Sequence, residues 1–293
     1  MNKLNISNTI SGQLVTFLVL TCACVFASFC VAVLVSYVLN DKMVAMLVSQ
    51  AIITLGSFVV PAWGMKRLYP KDENDVKLMS DFLPVSLRCV AVAVLALLFA
   101  LPFLNWMGTY TEMVFPASVE QQEQMFSLLT DGGVGMLVAR LVVVAFIAAI
   151  CEELFFRGTL QRVFTENIQK KSDVLMDCEN DTASTNTTKS LCGVILTALI
   201  FSLAHFDMSG FFQRFVLGCY LGFAFYWTKS LWTSFAMHFA NNGLLVLAFY
   251  YLPVPEKFGC ELDFIGVDCP ILAFLCLFVS LCCMYLLKRL DSK

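Results

Sequence analysis

The sequence predicts an all-α, polytopic integral membrane protein with about eight transmembrane helices around a polar intramembrane cavity. Three observations predict it. Of the 293 residues, 59% are hydrophobic and only 14% are charged, where a soluble domain carries about 25% charge. Apolar runs long enough to cross a bilayer recur along the whole chain. Several of those runs contain ionisable residues, each costing about 2.5–3.5 kcal/mol at mid-membrane and therefore functional candidates by default.

The runs fall at about 14–39, 43–65, 84–107, 134–156, 191–207, 211–228, 231–252 and 270–287. The first, Leu14 to Leu39, is too long for a signal-peptide core and lacks a clear small-residue cleavage site, so it reads as a retained span. Pro61 closes the second run and Pro102 lies near the end of the third, where caps or kinks are expected. Ala117 to Asp131 reads as an amphipathic helix at the outer surface. Residues 165–190, rich in Asp, Asn, Ser and Thr, read as a flexible polar loop. That loop holds sequons at Asn180 and Asn186, but on the cytoplasmic side they would not be glycosylated. Gly218 and Gly222 form a G-x-x-x-G helix-packing pair. No internal repeat is visible. The chain thus divides into N-terminal helices and loops (1–133), a core (134–252), and an external loop with the last helix (253–293).

Charge gives the orientation. Lys66, Arg67, Lys71 and Lys77 follow the second run; Arg157, Arg162, Lys170, Lys171 and Lys189 follow the fourth; Lys288, Arg289 and Lys293 end the chain. The loop after the third run holds Glu112, Glu120, Glu123 and Asp131 without a cation. The loop before the last run holds Glu256, Glu261, Asp263 and Asp268 against Lys257 alone. The positive-inside rule then places both termini in the cytoplasm, which requires an even number of spans. A bacterial cytoplasmic membrane is the expected location, with membrane lipids as its surroundings. A net charge of −3 gives no reason to expect a nucleic-acid partner. Most of the thirteen cysteines, among them Cys22, Cys30, Cys89, Cys151, Cys219 and Cys276, sit singly in apolar runs as small hydrophobes. There is no C-x-x-C pair, so no thiolate zinc or iron–sulfur site is expected. Cys260 and Cys269 share a polar loop and would pair in an oxidising compartment.

The chemistry concentrates in Glu152-Glu153-Leu154-Phe155-Phe156-Arg157. Neighbours on a helix point about 100° apart, so the two acids do not serve one spot. Glu153 and Arg157 are four apart with the acid first, the favourable order for an ion pair. Arg157 is therefore assigned to Glu153 as a structural pair, leaving Glu152 as the working carboxylate, suited to a general base. The only histidines, His205 and His238, also lie in apolar runs. Phe201 stands four before His205, and Asn241 and Asn242 follow His238 on nearly the same face, so spacing alone does not choose between the amides. With Glu152 central in a helix over 140–164, both histidines fall within about 8 Å of mid-depth in their own spans. Three helices can bring these groups to one level.

Each residue also has a plainer reading. Glu153–Arg157 would simply join helices, a lone membrane histidine is more often an interhelical hydrogen bonder, Phe201 and Phe239 would be packing, and Asn241 would bond a neighbouring helix. The joint occurrence of both histidines with the acids favours a site. Two other classes compete with an enzyme. One is a transporter or proton relay using Glu152, His205 and His238, against which stands the lack of inverted repeats or paired broken helices. The other is a non-catalytic peptide-binding or immunity protein.

E-E-x-x-x-R at 152–157, F-x-x-x-H at 201–205 and H-x-x-x-N at 238–242, in this order, resemble the CAAX-processing and bacteriocin-processing (CPBP, or Abi) family of intramembrane endopeptidases, which includes the type II CAAX prenyl endopeptidases. The likeness runs from about Val134 to Tyr251 and includes Arg157-Gly158-x-Leu160-Gln161; the first three helices and the last lie outside it. Each motif alone is weak, but three in order are specific. The resemblance implies hydrolysis of a peptide bond within the membrane in a hydrophobic, lipidated or membrane-associated substrate. It implies that Glu152 and His205 activate a water while His238 and Asn242 stabilise the oxyanion. The family pattern selects Asn242 over Asn241. The family has been described both as metal-dependent and as glutamate-type. Glu152, His205 and His238 would also suit zinc, with an open fourth position. The insert at 165–190 is a departure that leaves the motifs intact.

Overall fold

Long runs of Leu, Val, Phe and Ala satisfy their backbone groups internally by coiling, which is what a lipid surrounding demands. The structure is a computed structural model, described over residues 10–69, 81–130, 132–165, 182–251 and 269–291. Those residues form nine helices and no strand. Helix α1 covers Ile10–Val38. Asp41 accepts the Val44 N–H (3.0 Å) and so caps α2, Lys42–Leu68, which carries a π turn at Leu55–Val59. Ser86 caps α3, Leu87–Val114, in the same manner. The short α4, Val119–Thr130, packs on α2 and on α8 (Leu231–Tyr251). Helix α5 runs over Val134–Thr165, α6 over Thr182–Leu203, α7 over Phe211–Thr228, and α9 over Pro270–Asp291.

Five of these helices, α1, α2, α3, α5 and α9, are long and apolar enough to cross a membrane. The count of eight spans is not confirmed, and the shortfall has a composition behind it. The apolar part of α6 is only Leu191–Leu203. Helix α7 opens with Gln213 and Arg214, while α8 carries His238, Asn241 and Asn242. Of the helices short of the spanning criterion, α6 leads to His205 and α8 carries His238 and Asn242, whereas Glu152 lies on the spanning α5.

Two further differences from the sequence reading bear on the site. Helix α6 begins at Thr182, inside the stretch read as a loop, and it ends at Leu203 rather than reaching residue 207. Phe206 takes a left-handed backbone (φ 51°), which stops the helix there. Lys66, read as a loop cation, is within α2 and buried. The rest of the polar insert with Asn180, and Cys260 with its pairing to Cys269, lie outside the described residues.

The main core joins α3, α7 and α9. Ala93, Ala96 and Ala100 are fully buried against Leu221, Ala224 and Leu287, small side chains allowing close approach. A buried polar chain crosses this core: the Tyr220 and Ser280 hydroxyls meet at 2.8 Å, and Ser280 donates to the Ala96 carbonyl at 2.5 Å. A second cluster, Phe17, Met65, Phe155, Phe156, Leu160 and Phe201, fastens α1 and α2 to the back of α5.

Candidate active site

Helix α5 holds Glu152 and Glu153 on a regular stretch, Ala148–Phe155, between two π turns at Leu141–Ile147 and Phe156–Gln161. Such turns widen the helix locally and are frequent at functional sites. Glu153 points inward and is fully buried. Its Oε1 accepts from Arg157 Nη1 at 2.9 Å and from His238 Nδ1 at 2.9 Å. The carboxylate can only accept, so Nδ1 of His238 carries the hydrogen. Nε2 of that ring lies 3.8 Å from Oε2 of Glu152, too far for a direct hydrogen bond. That Oε2 is buried and has no hydrogen-bond partner among the described residues, although the Glu152 side chain as a whole is 12% exposed.

His205 stands in the turn beyond α6. Its Nδ1 donates to the Phe201 carbonyl at 2.8 Å, and its ring meets the Phe201 ring edge-on at 5.1 Å. The turn is held by Asp207, which pairs with Arg214 (3.0 Å) and accepts from the Ser209 N–H (3.0 Å) and hydroxyl (2.7 Å); Arg214 also donates to the Asp207 carbonyl. Phe201 is the hub between the two histidines. Its buried ring also contacts His238 (5.8 Å) and Phe156 (5.1 Å), and the Arg157 guanidinium lies over it at 4.7 Å.

Asn242 is one turn further along α8 than His238. Its Nδ2 donates to the Val144 carbonyl, within the first π turn of α5, at 3.2 Å, and its Oδ1 accepts from Asn241 at 3.1 Å. Only one of its two amide hydrogens is used in this way. Glu153, Arg157 and His238 are thus joined across α5 and α8, Glu152 faces His238, Asn242 ties the same two helices at Val144, and Phe201 touches both histidine rings.

A paired contact sets the position of α7. Arg157 Nη2 donates to the Gly218 carbonyl (3.2 Å), and Gln161 Nε2 donates to the Gly222 carbonyl (2.9 Å). On the other flank of these glycines lies α6: a Cβ at Gly218 would sit 3.0 Å from Ala198 Cβ, and one at Gly222 would sit 2.8 Å from Val194 and 3.0 Å from Gln161 Oε1. The G-x-x-x-G pair is therefore wedged between the Arg157/Gln161 edge of α5 and the helix that leads to His205. Sequence reasoning did not assign Gln161, the second partner of Glu153, or the Val144 carbonyl. The matching four-residue spacings, Arg157 to Gln161 and Gly218 to Gly222, were the available signal for the first.

Glu152, His205 and His238 are suitable donors for zinc by type, and each ring has its Nδ1 engaged as metal-bound imidazoles do. Among the described residues, however, no three His, Cys, Asp or Glu side chains are placed to share an ion. As arranged, the set does not fit a three-ligand centre.

Residues 134–244 match the family described as type II CAAX prenyl endopeptidase Rce1-like. No curated protein and no solved structure matches the chain. The matched segment contains all three motifs, and the match supports the CAAX-protease family for it. At that level it supports an integral membrane protease of the CAAX type, which implies a membrane-associated peptide or protein substrate.

Proposed function

We propose that this membrane protein of the CAAX-protease type hydrolyses a peptide bond at the Glu152–His205–His238–Asn242 cluster. The observation that carries the reading is the buried, unpartnered Oε2 of Glu152 facing Nε2 of a histidine whose other nitrogen is fixed by Glu153. A gap of 3.8 Å suits a water held by both groups rather than a direct bond.

Glu152 takes a proton from that water, with Nε2 of His205 orienting it, and the hydroxide adds to the scissile carbonyl carbon. The negative charge that develops on the carbonyl oxygen is met by the free amide hydrogen of Asn242 and by Nε2–H of His238. Nδ1 of His238 stays on Glu153 while Nε2 faces the developing charge. Collapse of the adduct breaks the C–N bond, and the proton held by Glu152 passes to the leaving amine. The site's depth in an apolar bundle favours a hydrophobic or lipidated peptide. An excess of Lys and Arg near alternate helix ends favours both termini on the cytoplasmic side.

The test compares peptide termini in membranes from cells expressing the chain and from cells expressing Glu152→Gln. New termini that fall by about 10²-fold or more in the variant are expected. Identical termini, with both proteins folded and equally abundant, would sink the reading, and uptake of ions would then be measured.

A further inference from the structure

We infer that Asp81, which lies outside the matched segment, is a positioning residue that sets Glu152 against His238; its link to activity rests on the function proposed above. Asp81 is in the segment before α3 and is only 6% exposed. Its Oδ2 accepts from Lys66 Nζ at 2.7 Å and its Oδ1 from Arg162 Nη1 at 2.5 Å. Its main-chain carbonyl accepts the N–H of Leu231, the first residue of α8, at 2.9 Å. Two residues on, the Leu83 carbonyl accepts from the Ser230 hydroxyl at 2.5 Å, and Phe82 packs edge-on against Trp232 at 4.8 Å. One short segment therefore grips α2, the end of α5 and the start of α8.

The close approach is built in. A Cβ at Gly158 would sit 3.1 Å from Asp81 Oδ2 and 3.4 Å from Leu231 Cδ1, so a bare backbone lets α5 lie against both. From the grip, the helix rise carries the chain about 15 Å up α5 from Arg162 to Glu152 and about 10 Å up α8 from Leu231 to His238. Both levers start at the same clasp. A slip there moves one candidate catalytic group past the other, and the 3.8 Å separation on which the proposed water depends is lost. The acid also faces two cations at once, the buried Lys66 and the part-exposed Arg162.

The experiment uses the full chain in detergent micelles, reading amide hydrogen exchange peptide by peptide, together with the Glu152-dependent termini in cell membranes. Asp81→Asn is expected to raise exchange about tenfold in the first turn of α8 and around Arg162, to leave α3 and α9 unchanged, and to cut the termini about tenfold. Asp81→Glu, which keeps the charge, is expected to restore most of both. Unchanged exchange at the two grips, or an equal rise throughout α3 and α9, would overturn the clamp. The exchange result decides it whether or not cleavage is found, so its failure is separate from failure of the proposed activity. Should Asp81→Asn not accumulate, Ser230→Ala decides in the same way, with a rise of about threefold confined to the start of α8 expected.

Discussion

Replacing Glu153 separates two roles that the structure combines in one carboxylate. Glu153 compensates Arg157, and it also fixes the ring of His238. In Glu153→Gln the Arg157 guanidinium, fully buried, loses its counter-charge. Breaking one side of a buried pair costs about 3–5 kcal/mol, which corresponds to a thermal midpoint lower by on the order of 10 °C. In Glu153→Leu/Arg157→Met neither charge remains, and such double replacements are often close to neutral. Loss of the Gly218 hydrogen bond and of the contact over Phe201 leaves a residual cost of about 1–3 kcal/mol. The midpoint in detergent should therefore fall in the single variant and largely recover in the double. Cleavage should not recover, because His238 still lacks its anchor; removal of such an orienting acid costs about 10²–10⁴ in rate. A double variant that cleaves at the wild-type rate would refute the reasoning and reduce Glu153 to a structural partner.

Other substitutions test the frame around the site. Gly222→Ala should cost about 1–3 kcal/mol through its clash with Val194 and Gln161, whereas Gly243→Ala, where a Cβ meets nothing within 4 Å, should stabilise α8 by about 0.5–1 kcal/mol; thermal unfolding compares them. Arg157→Lys keeps the charge but not the fork that reaches Glu153 and Gly218 together, so a midpoint loss of about 1.5–3 kcal/mol is expected despite unchanged net charge. Asn242→Ala removes the proposed oxyanion donor along with the Val144 contact, and should lower the cleavage rate by about 10²-fold with little change in substrate affinity.

How much of this was legible in the sequence depends on the range of each contact. A helical period brings residues four apart together, which is how Arg157 comes within reach of Glu153. It says nothing of His238, 85 positions away. Membrane character follows from composition, since a chain with 14% charge has little else to bury itself in. The span count does not, because a polar residue that faces a cavity and one that interrupts a span look alike in a hydropathy window. The π turn at Leu141–Ile147 left no mark, as its residues are all hydrophobes; the one at Phe156–Gln161 offered only Gly158 and Thr159, which weaken a helix without specifying a π turn. The end of α6 was missed because an aromatic, Phe206, takes a backbone conformation usually given to glycine or asparagine. Asp81 reads as one acid in a polar loop, and only the fold shows which cations it meets.

The polar make-up of α7 and α8 reaches beyond catalysis. A helix bearing Gln213 and Arg214, or His238, Asn241 and Asn242, is a poor candidate to leave an insertion machinery alone. Its polar groups find partners on α3 and α5: Gln213 with the Leu104 carbonyl, His238 with Glu153, Asn242 with the Val144 carbonyl. The wiring of the site is then also the glue of biogenesis, and α5 must already be in the bilayer for α8 to settle beside it. A variant that uncouples them would announce itself first as a chain threaded wrongly through the membrane, before any loss of turnover could be measured.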